Sequence, residues 1–355
     1  ELDGPVLIHV LTKKGKGYKP AEENPDKFHS TSAFEIETGK TLKEKQTDYS
    51  KIFGNKLIQL AEKNNKIVAI TASMKDGTGL TEFQKKFPNR FFDVGIAEQH
   101  AIGFSAGLAS NGMIPVVPIY SSFYQRAYDQ VIHDVCIQNL PVIMCVDRAG
   151  IVGADGETHQ GILDLSFFNI IPNLTIMAPK NFKELEDMLE FATKLNKPVV
   201  IRYPRGGEGK NVFKENTKIE YGKSEILQEG NDISILAIGK MVDRAIDVCN
   251  KLKEDNINAE VINIRFLKPL DKESIIKSVK KTKNCITIED NILLGGLASN
   301  VKELLIDNKI DVNIKTFGYP NKFIKHGSVE DIEKKYGLDT ESIYNYVINN
   351  FKKGS

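Results

Sequence analysis

The densest group of chemically able side chains lies in Asp147-Arg-Ala-Gly-Ile-Val-Gly-Ala-Asp-Gly-Glu-Thr-His-Gln-Gly161. Arg148 offers a planar fork for a phosphate or carboxylate, Asp155 and His159 can exchange protons, and the glycines let backbone approach a substrate closely. An ordinary glycine-rich loop with exposed charges has the same composition, so composition alone leaves both readings open. A second group is Asp93-Val-Gly-Ile-Ala-Glu98-Gln-His100, which puts a carboxylate at the start of a small-residue helix. Such a carboxylate is often only a charge favoured by the helix dipole, and a histidine placed like His100 is often structural. In Tyr120-Ser-Ser-Phe123-Tyr-Gln-Arg126, helical spacing puts Phe123 and Arg126 on one face. That face suits a flat heterocycle beside an anion, or core packing beside a surface ion pair. In Arg202-Tyr-Pro-Arg205-Gly206-Gly207, Arg205 reads as a phosphate contact and Arg202 as structural.

These groups need strand ends to hold them. Apolar runs at 67–71, 91–94, 114–119, 142–146, 176–178 and 199–203 alternate with helical patterns at 49–64, 97–110, 123–138 and 182–195. Continuous apolar strands between helices predict a parallel sheet covered on both faces. The 147–161 loop and the segment from Arg202 then lie at carboxyl ends of strands, where open α/β sheets take ligands. After a polar interval at 206–231 the alternation resumes, with strands at 233–238, 260–264 and 285–289. Helices are expected there at 242–253, 272–278, 297–305 and 341–351. The fold class is therefore α/β, a parallel-sheet domain followed by a second α/β domain. Upstream, 6–11 reads as a buried strand running into a glycine turn, and 19–48, polar and aperiodic, as a linker.

The 355 residues allow two or three domains at roughly 100–200 residues each. With 48 Lys+Arg against 47 Asp+Glu, the net charge of +1 excludes a global basic field for nucleic acid or an anionic membrane. No apolar run reaches the roughly 18–20 residues of a membrane span. Cys136, Cys145, Cys249 and Cys285 form no C-x-x-C pair and sit in or beside apolar runs, which suggests reduced thiols and a cytoplasmic protein. The chain opens on Glu1, one turn ahead of the expected strand, as a processed chain or a piece of a longer one would.

Together the motifs resemble the 1-deoxy-D-xylulose-5-phosphate synthases, transketolase-like enzymes that use thiamine diphosphate. The matching stretches are Thr12-Lys-Lys-Gly-Lys-Gly-Tyr18 with Phe28-His29, Tyr49-Ser-Lys-Ile-Phe-Gly54, Phe92-Asp-Val-Gly-Ile-Ala-Glu-Gln-His100 and Gln125-Arg-Ala-Tyr-Asp-Gln130. Asp147 to Gly156, Thr158-His-Gln-Gly161, Arg202-Tyr-Pro-Arg-Gly206, Phe266-Leu-Lys-Pro-Leu-Asp271 and Glu289-Asp-Asn with Gly295-Gly296 extend the likeness over essentially the whole chain. The resemblance implies condensation of pyruvate, with decarboxylation, onto glyceraldehyde 3-phosphate in isoprenoid precursor biosynthesis, by a homodimer. It assigns Glu98 to the hydrogen bond with the cofactor's aminopyrimidine, Phe123 to its ring face, and Tyr18 to a further cofactor contact. Arg148 and Arg205 with Tyr120 look like the phosphate clamp. Arg126, Asp155 and His159 look like the groups that handle the pyruvate carboxylate and the substrate hydroxyls.

In these enzymes Mg²⁺ anchors the diphosphate through an Asp in a Gly-Asp-Gly run and a later Asn, as oxygen ligands suit Mg²⁺. The chain has no Gly-Asp-Gly. Asp155-Gly156 with Asn181 imitates the pattern, but Ala154 replaces the first glycine and the interval holds His159. The resemblance places the metal motif in an N-terminal domain, of which 1–18 would be the last strand and turn. Residues 19–48 would then be the linker, 49–222 the pyrimidine-binding domain and 223–355 the transketolase C-terminal domain. A chain so composed is expected to bind the cofactor poorly alone and to show negligible synthase activity. The competing readings are a β-type subunit of a split transketolase or 2-oxoacid dehydrogenase, and a non-catalytic dimerisation module.

Overall fold

The computed structural model describes residues 2–25, 27–29, 31, 33–42, 47–213 and 218–351, so the expected segments' ends at 1, 43–46 and 352–355 lie outside the described residues. It divides into two units, Glu1–Gln46 and Thr47–Ser355. In the first, a short helix Lys19–Glu23 with Pro20 in its opening turn leads into an aromatic trio. Tyr18, Phe28 and Phe34 pack with ring centroids 5.3–5.8 Å apart, and the Tyr18 hydroxyl donates to the Ile36 carbonyl at 2.7 Å. The strand expected at 6–11 does not form, and its side chains are exposed, Leu7 at 93%. A continuous apolar run becomes a strand only between hydrogen-bonding neighbours, and no described residue of this unit pairs with it.

The second unit carries two sheets. Strands β1 (Ile67–Thr71), β2 (Phe91–Asp93), β3 (Ile114–Tyr120), β4 (Ile143–Asp147), β5 (Thr175–Met177) and β6 (Val199–Arg202) run parallel in the order β5-β6-β4-β3-β1-β2. Every residue of β1 and β4 is buried, as a sheet covered on both faces requires. One covering layer pairs helix Tyr49–Lys63 with helix Phe182–Leu195. Asp48 caps the first by accepting from the Lys51 amide at 2.8 Å, and Phe53, Leu57 and Ala61 recur at helical spacing on its buried face.

The second sheet contains β7 (Glu225–Gln228), β8 (Ile233–Ala237), β9 (Ala259–Asn263), β11 (Asn284–Ile292) and β12 (Asn313–Tyr319), in the order β12-β11-β8-β9-β7. It is parallel except for edge strand β7. Strand β10 (Phe266–Lys268) follows β9 in sequence but joins the first sheet, antiparallel to β5, with Phe266 opposite Met177. It is too short, and too close to Pro269, to announce itself by periodicity.

The helix expected at 123–138 is broken. Ser121–Tyr124 is α-helical, Gln125–Ala127 tightens to 3₁₀, and Val131–Cys136 widens to a π turn. Phe123 and Arg126 therefore do not share a regular helical face. Mid-helix irregularities of this kind often accompany functional sites.

Arg202, buried at the end of β6, joins the two sheets. Its guanidinium donates to Asp164 at 2.8 and 3.2 Å and to Asp290 of β11 at 2.5 Å. Losing the shared cation leaves two buried carboxylates facing each other, which costs about 3–5 kcal/mol. Arg202→Met is expected to lower the unfolding free energy by about that amount in urea titrations; a loss below about 1 kcal/mol, the scale of an exposed pair, would remove Arg202 as the tie.

Candidate active site

Strands β1 and β3 are neighbours, yet β1 continues outward to β2 while β3 continues the other way to β4. The crevice at their carboxyl ends is the switch point at which open α/β sheets bind ligands. Tyr120 ends β3 and is opposite Asp147 at the end of β4 in the register. The turn after β1 brings Gly77 beneath the Tyr120 hydroxyl, where an added Cβ would lie 1.9 Å from that oxygen. Only glycine permits this approach.

Arg148 follows Asp147 with a left-handed backbone, φ 59°, uncommon for a residue with a side chain. Its guanidinium lies 3.8 Å over the Tyr120 ring and donates to the Gly77 carbonyl at 2.9 Å and to Asp147 at 2.7 Å. Asp147, fully buried, also accepts from the Ser50 hydroxyl at 2.7 Å, so the first residues of helix Tyr49–Lys63 brace the site. Burial pushes the Asp147 carboxyl up to about 6, against the lowering by Arg148 and Ser50.

Phe123 stacks on Tyr120, centroids 5.6 Å apart, and meets the His159 imidazole edge-on at 5.2 Å. Arg205 and Asp155 form a half-exposed ion pair at 2.5 Å. Burial raises the Tyr120 phenol; Arg148 and Arg205 pull it back, while Asp147 and Asp155 push it further. That one phenol thus feels four of the surrounding charges. The structure groups Tyr120, Phe123, Arg148, Asp155, His159 and Arg205.

Glu98 opens helix Glu98–Ser110, which packs against the Gln125–Ala127 turn. A carboxylate that merely decorates a helix N-terminus stands in solvent, whereas Glu98 is 4% exposed. No described residue makes a hydrogen bond or ion pair with its side chain. Glu98 thus offers an enclosed carboxylate whose acceptor edge no described residue occupies. The Thr71 and Ser122 hydroxyls, at or just beyond the ends of β1 and β3, are also buried without partners among the described residues.

Two sequence candidates have other surroundings. Arg126, on the 3₁₀ turn, is exposed and makes no described contact with the group. Tyr18 belongs to the other unit, where its hydroxyl is engaged by Ile36. His100 is exposed and stacks on Phe104. The sequence analysis missed the bracing of Arg148 by Asp147, Ser50 and Gly77. Its only local signal was Gly77 in the glycine loop after β1.

Residues 45–208 match the family described as transketolase, pyrimidine binding domain, and residues 222–343 match transketolase, C-terminal domain. The chain belongs to the transketolase family. Within it, the chain is similar to the 1-deoxy-D-xylulose-5-phosphate synthases. The protein of that name from Caldanaerobacter subterraneus subsp. tengcongensis is 52% identical over 353 residues, 99% of this chain and 57% of the relative. That from Clostridium acetobutylicum is 51% identical over 350 residues, 98% and 56% respectively. The chain thus spans little more than half the length of these relatives. A solved split-gene transketolase, described as an inactive beta4 tetramer, is 29% identical with a TM-score of 0.78, covering 86% of this chain and 99% of its own. A Pichia stipitis transketolase variant, 18% identical with a TM-score of 0.69 over 87% of this chain and 46% of its own, shares the fold.

The Asp147 carboxyl gives a pH prediction. Its native value stands above the ordinary 3.8, so its contribution to stability is present below that value and is lost as pH rises through about 6. Asn does not titrate. The Tm of Asp147→Asn minus that of the native chain is expected to rise from about pH 4 to about pH 7 and then level off; a constant difference would refute it.

Proposed function

We propose that this chain is the pyrimidine-binding and C-terminal part of a 1-deoxy-D-xylulose-5-phosphate synthase, which joins pyruvate, with loss of carbon dioxide, to glyceraldehyde 3-phosphate. The observation that carries this reading is the enclosed Glu98 side chain, which has no donor among the described residues, with the Phe123 ring and two arginines gathered at the neighbouring strand ends. The residues present fit the aminopyrimidine end of thiamine diphosphate: Glu98 would accept a hydrogen bond from it and Phe123 would offer it a ring face. When bound, the cofactor supplies an electron sink for the carbon that loses carbon dioxide.

The remaining work falls to the protein. Arg148, held by Asp147 and Gly77, presents its free edge to the acceptor's phosphate, and Arg205 closes on the same group from the β6 side. Asp155 and His159 exchange protons with substrate hydroxyls, and Arg126 meets the pyruvate carboxylate from the 3₁₀ turn. Tyr18 is a further cofactor contact. In this reading the diphosphate and its Mg²⁺ are held outside the chain, 1–18 is the end of that other domain, and 19–48, 49–222 and 223–355 are linker, pyrimidine-binding and C-terminal domains. The working enzyme is a cytoplasmic homodimer. The β-type subunit of a split enzyme has one observation in its favour, the near-complete coverage of the split-gene transketolase chain, but the synthases match at higher identity.

The isolated chain, given pyruvate, glyceraldehyde 3-phosphate, thiamine diphosphate and Mg²⁺, is expected to give negligible product. Adding the diphosphate-binding half of a related synthase should restore turnover, and Glu98→Ala should then lower kcat by about 10²–10⁴. Full rates from the isolated chain, or an active Glu98→Ala enzyme, would overturn the reading. In the completed enzyme Arg148→Leu is expected to raise the KM for glyceraldehyde 3-phosphate by about 10–100-fold, as loss of a charged hydrogen bond does, and to leave that for pyruvate nearly unchanged. Equal effects on both would take Arg148 out of the clamp.

A further inference from the structure

Asp155 and His159 stand on a twelve-residue excursion, 150–161, whose neck is closed by reciprocal bonds between Gly150 and Gly161, each 2.7 Å. A loop this rich in glycine has high conformational entropy, so two ideally placed side chains need something more than the neck to fix them. The filling is Gln160, whose side chain lies inside the loop at 6% exposure. Its Oε1 accepts from the amides of Val152 at 2.9 Å and Gly153 at 3.3 Å. Its Nε2 donates to the carbonyls of Gly153 and of Lys325, both at 3.4 Å.

Lys325 belongs to the C-terminal domain, and the contact continues along its chain. The Gly327 amide donates to the Gly153 carbonyl at 3.4 Å, and a Cβ on Gly153 would lie 2.8 Å from the Gly327 carbonyl. On either side of the neck, Ile151 and Ile162 are buried in the core of that same domain, together with Ile324. The loop leaves β4 of the first sheet but is seated in the second domain.

We propose that Gln160 is the positioning residue that sets Asp155 and His159 for the reaction, and that the C-terminal domain acts on the site through its bond to Lys325. The catalytic half of this inference rests on the synthase reading; the positional half does not. His159 supplies a direct readout, because its imidazole lies edge-on to Phe123, whose ring current displaces the imidazole proton signals.

The test uses three forms of the whole chain labelled with ¹³C-histidine, the His159 signal being assigned with His159→Gln. Gln160→Met keeps the side-chain length and loses every hydrogen bond. Gln160→Glu keeps the acceptor for the Val152 and Gly153 amides and loses the donor to the Gly153 and Lys325 carbonyls. In Gln160→Met the His159 signal is expected to move to its solvent-exposed position, and exchange of the Val152 and Gly153 amides to quicken about tenfold, as for a local opening. Exchange in β1 and β4 should not change. Gln160→Glu is expected to restore protection of the two amides while the His159 signal stays at the solvent-exposed position seen in Gln160→Met. An unmoved His159 signal in Gln160→Met, or exchange raised equally in β1 and β4, would overturn the proposal.

In enzyme completed with the diphosphate-binding half, Gln160→Met is expected to lower kcat about 10–100-fold with little change in the KM for glyceraldehyde 3-phosphate, as misplaced reacting groups do. Unchanged kcat beside an altered His159 signal would reject the catalytic half. If the native completed enzyme forms no product, the synthase reading fails instead, and the His159 signal and amide exchange still decide the positional half.

Discussion

A carboxylate with no access to water must be paired, and Asp147 is that carboxylate here. Its two oxygens are taken by Ser50 and Arg148, so helix Tyr49–Lys63, strand β4 and the start of the 147–161 loop meet at one residue. From there Arg148 reaches the Gly77 carbonyl and the face of Tyr120, which links the ends of β4, β1 and β3. Phe123 stacks with Tyr120, and His159 abuts Phe123. A single buried charge thus determines where a guanidinium, two aromatic rings and an imidazole stand. The left-handed backbone at Arg148 is held with its Nη1 fixed on both Asp147 and the Gly77 carbonyl.

A second constraint of the same kind joins the domains. Arg202 lies between Asp164 and Asp290, and Glu184 accepts from Arg265 and Lys180 in another fully buried cluster. Buried ion pairs give little net stability compared with well-packed apolar groups, but they penalise misplacement heavily. Their use between two sheets specifies a register of one domain on the other. Strand β10, contributed by the second domain's segment to the first sheet, enforces the same register through backbone hydrogen bonds. The 147–161 loop rests on both domains and inherits that register.

Much of this was legible in the residues. Strand β1 and helix Phe182–Leu195 fall where apolar runs and periodicity place them, because their burial is continuous or strictly one-sided. Glu98, Tyr120, Phe123, Arg148, Asp155, His159 and Arg205 were singled out through short motifs and the family likeness those motifs carry, and all but Glu98 are linked by the contacts around Tyr120. The losses have physical causes. The break in the helix after Tyr120 leaves no mark on a 3.6-residue pattern that remains apolar throughout. Strand β10 is short and finds its partner in another sheet, about 90 residues away in sequence. The segment at 6–11 has the composition of a central strand but no neighbour in its unit. The Ser50–Asp147 and Gln160–Lys325 bonds join residues 97 and 165 positions apart, beyond the reach of any local signal.

The distribution of pairing also separates the groups that hold from the groups that act. Asp147, Arg202 and Gln160, which hold, are buried and satisfied by two or more partners. Glu98 is enclosed and has no partner among the described residues, so it can accept from a ligand that brings a donor. Arg205 and Asp155 are paired with each other but half exposed, and such a pair is worth only about 0–1 kcal/mol. A competing anion offering two or three charged oxygens can displace Asp155 from Arg205 at that small cost. The weak pair can accordingly exchange partners with an incoming anion, and the buried pairs cannot.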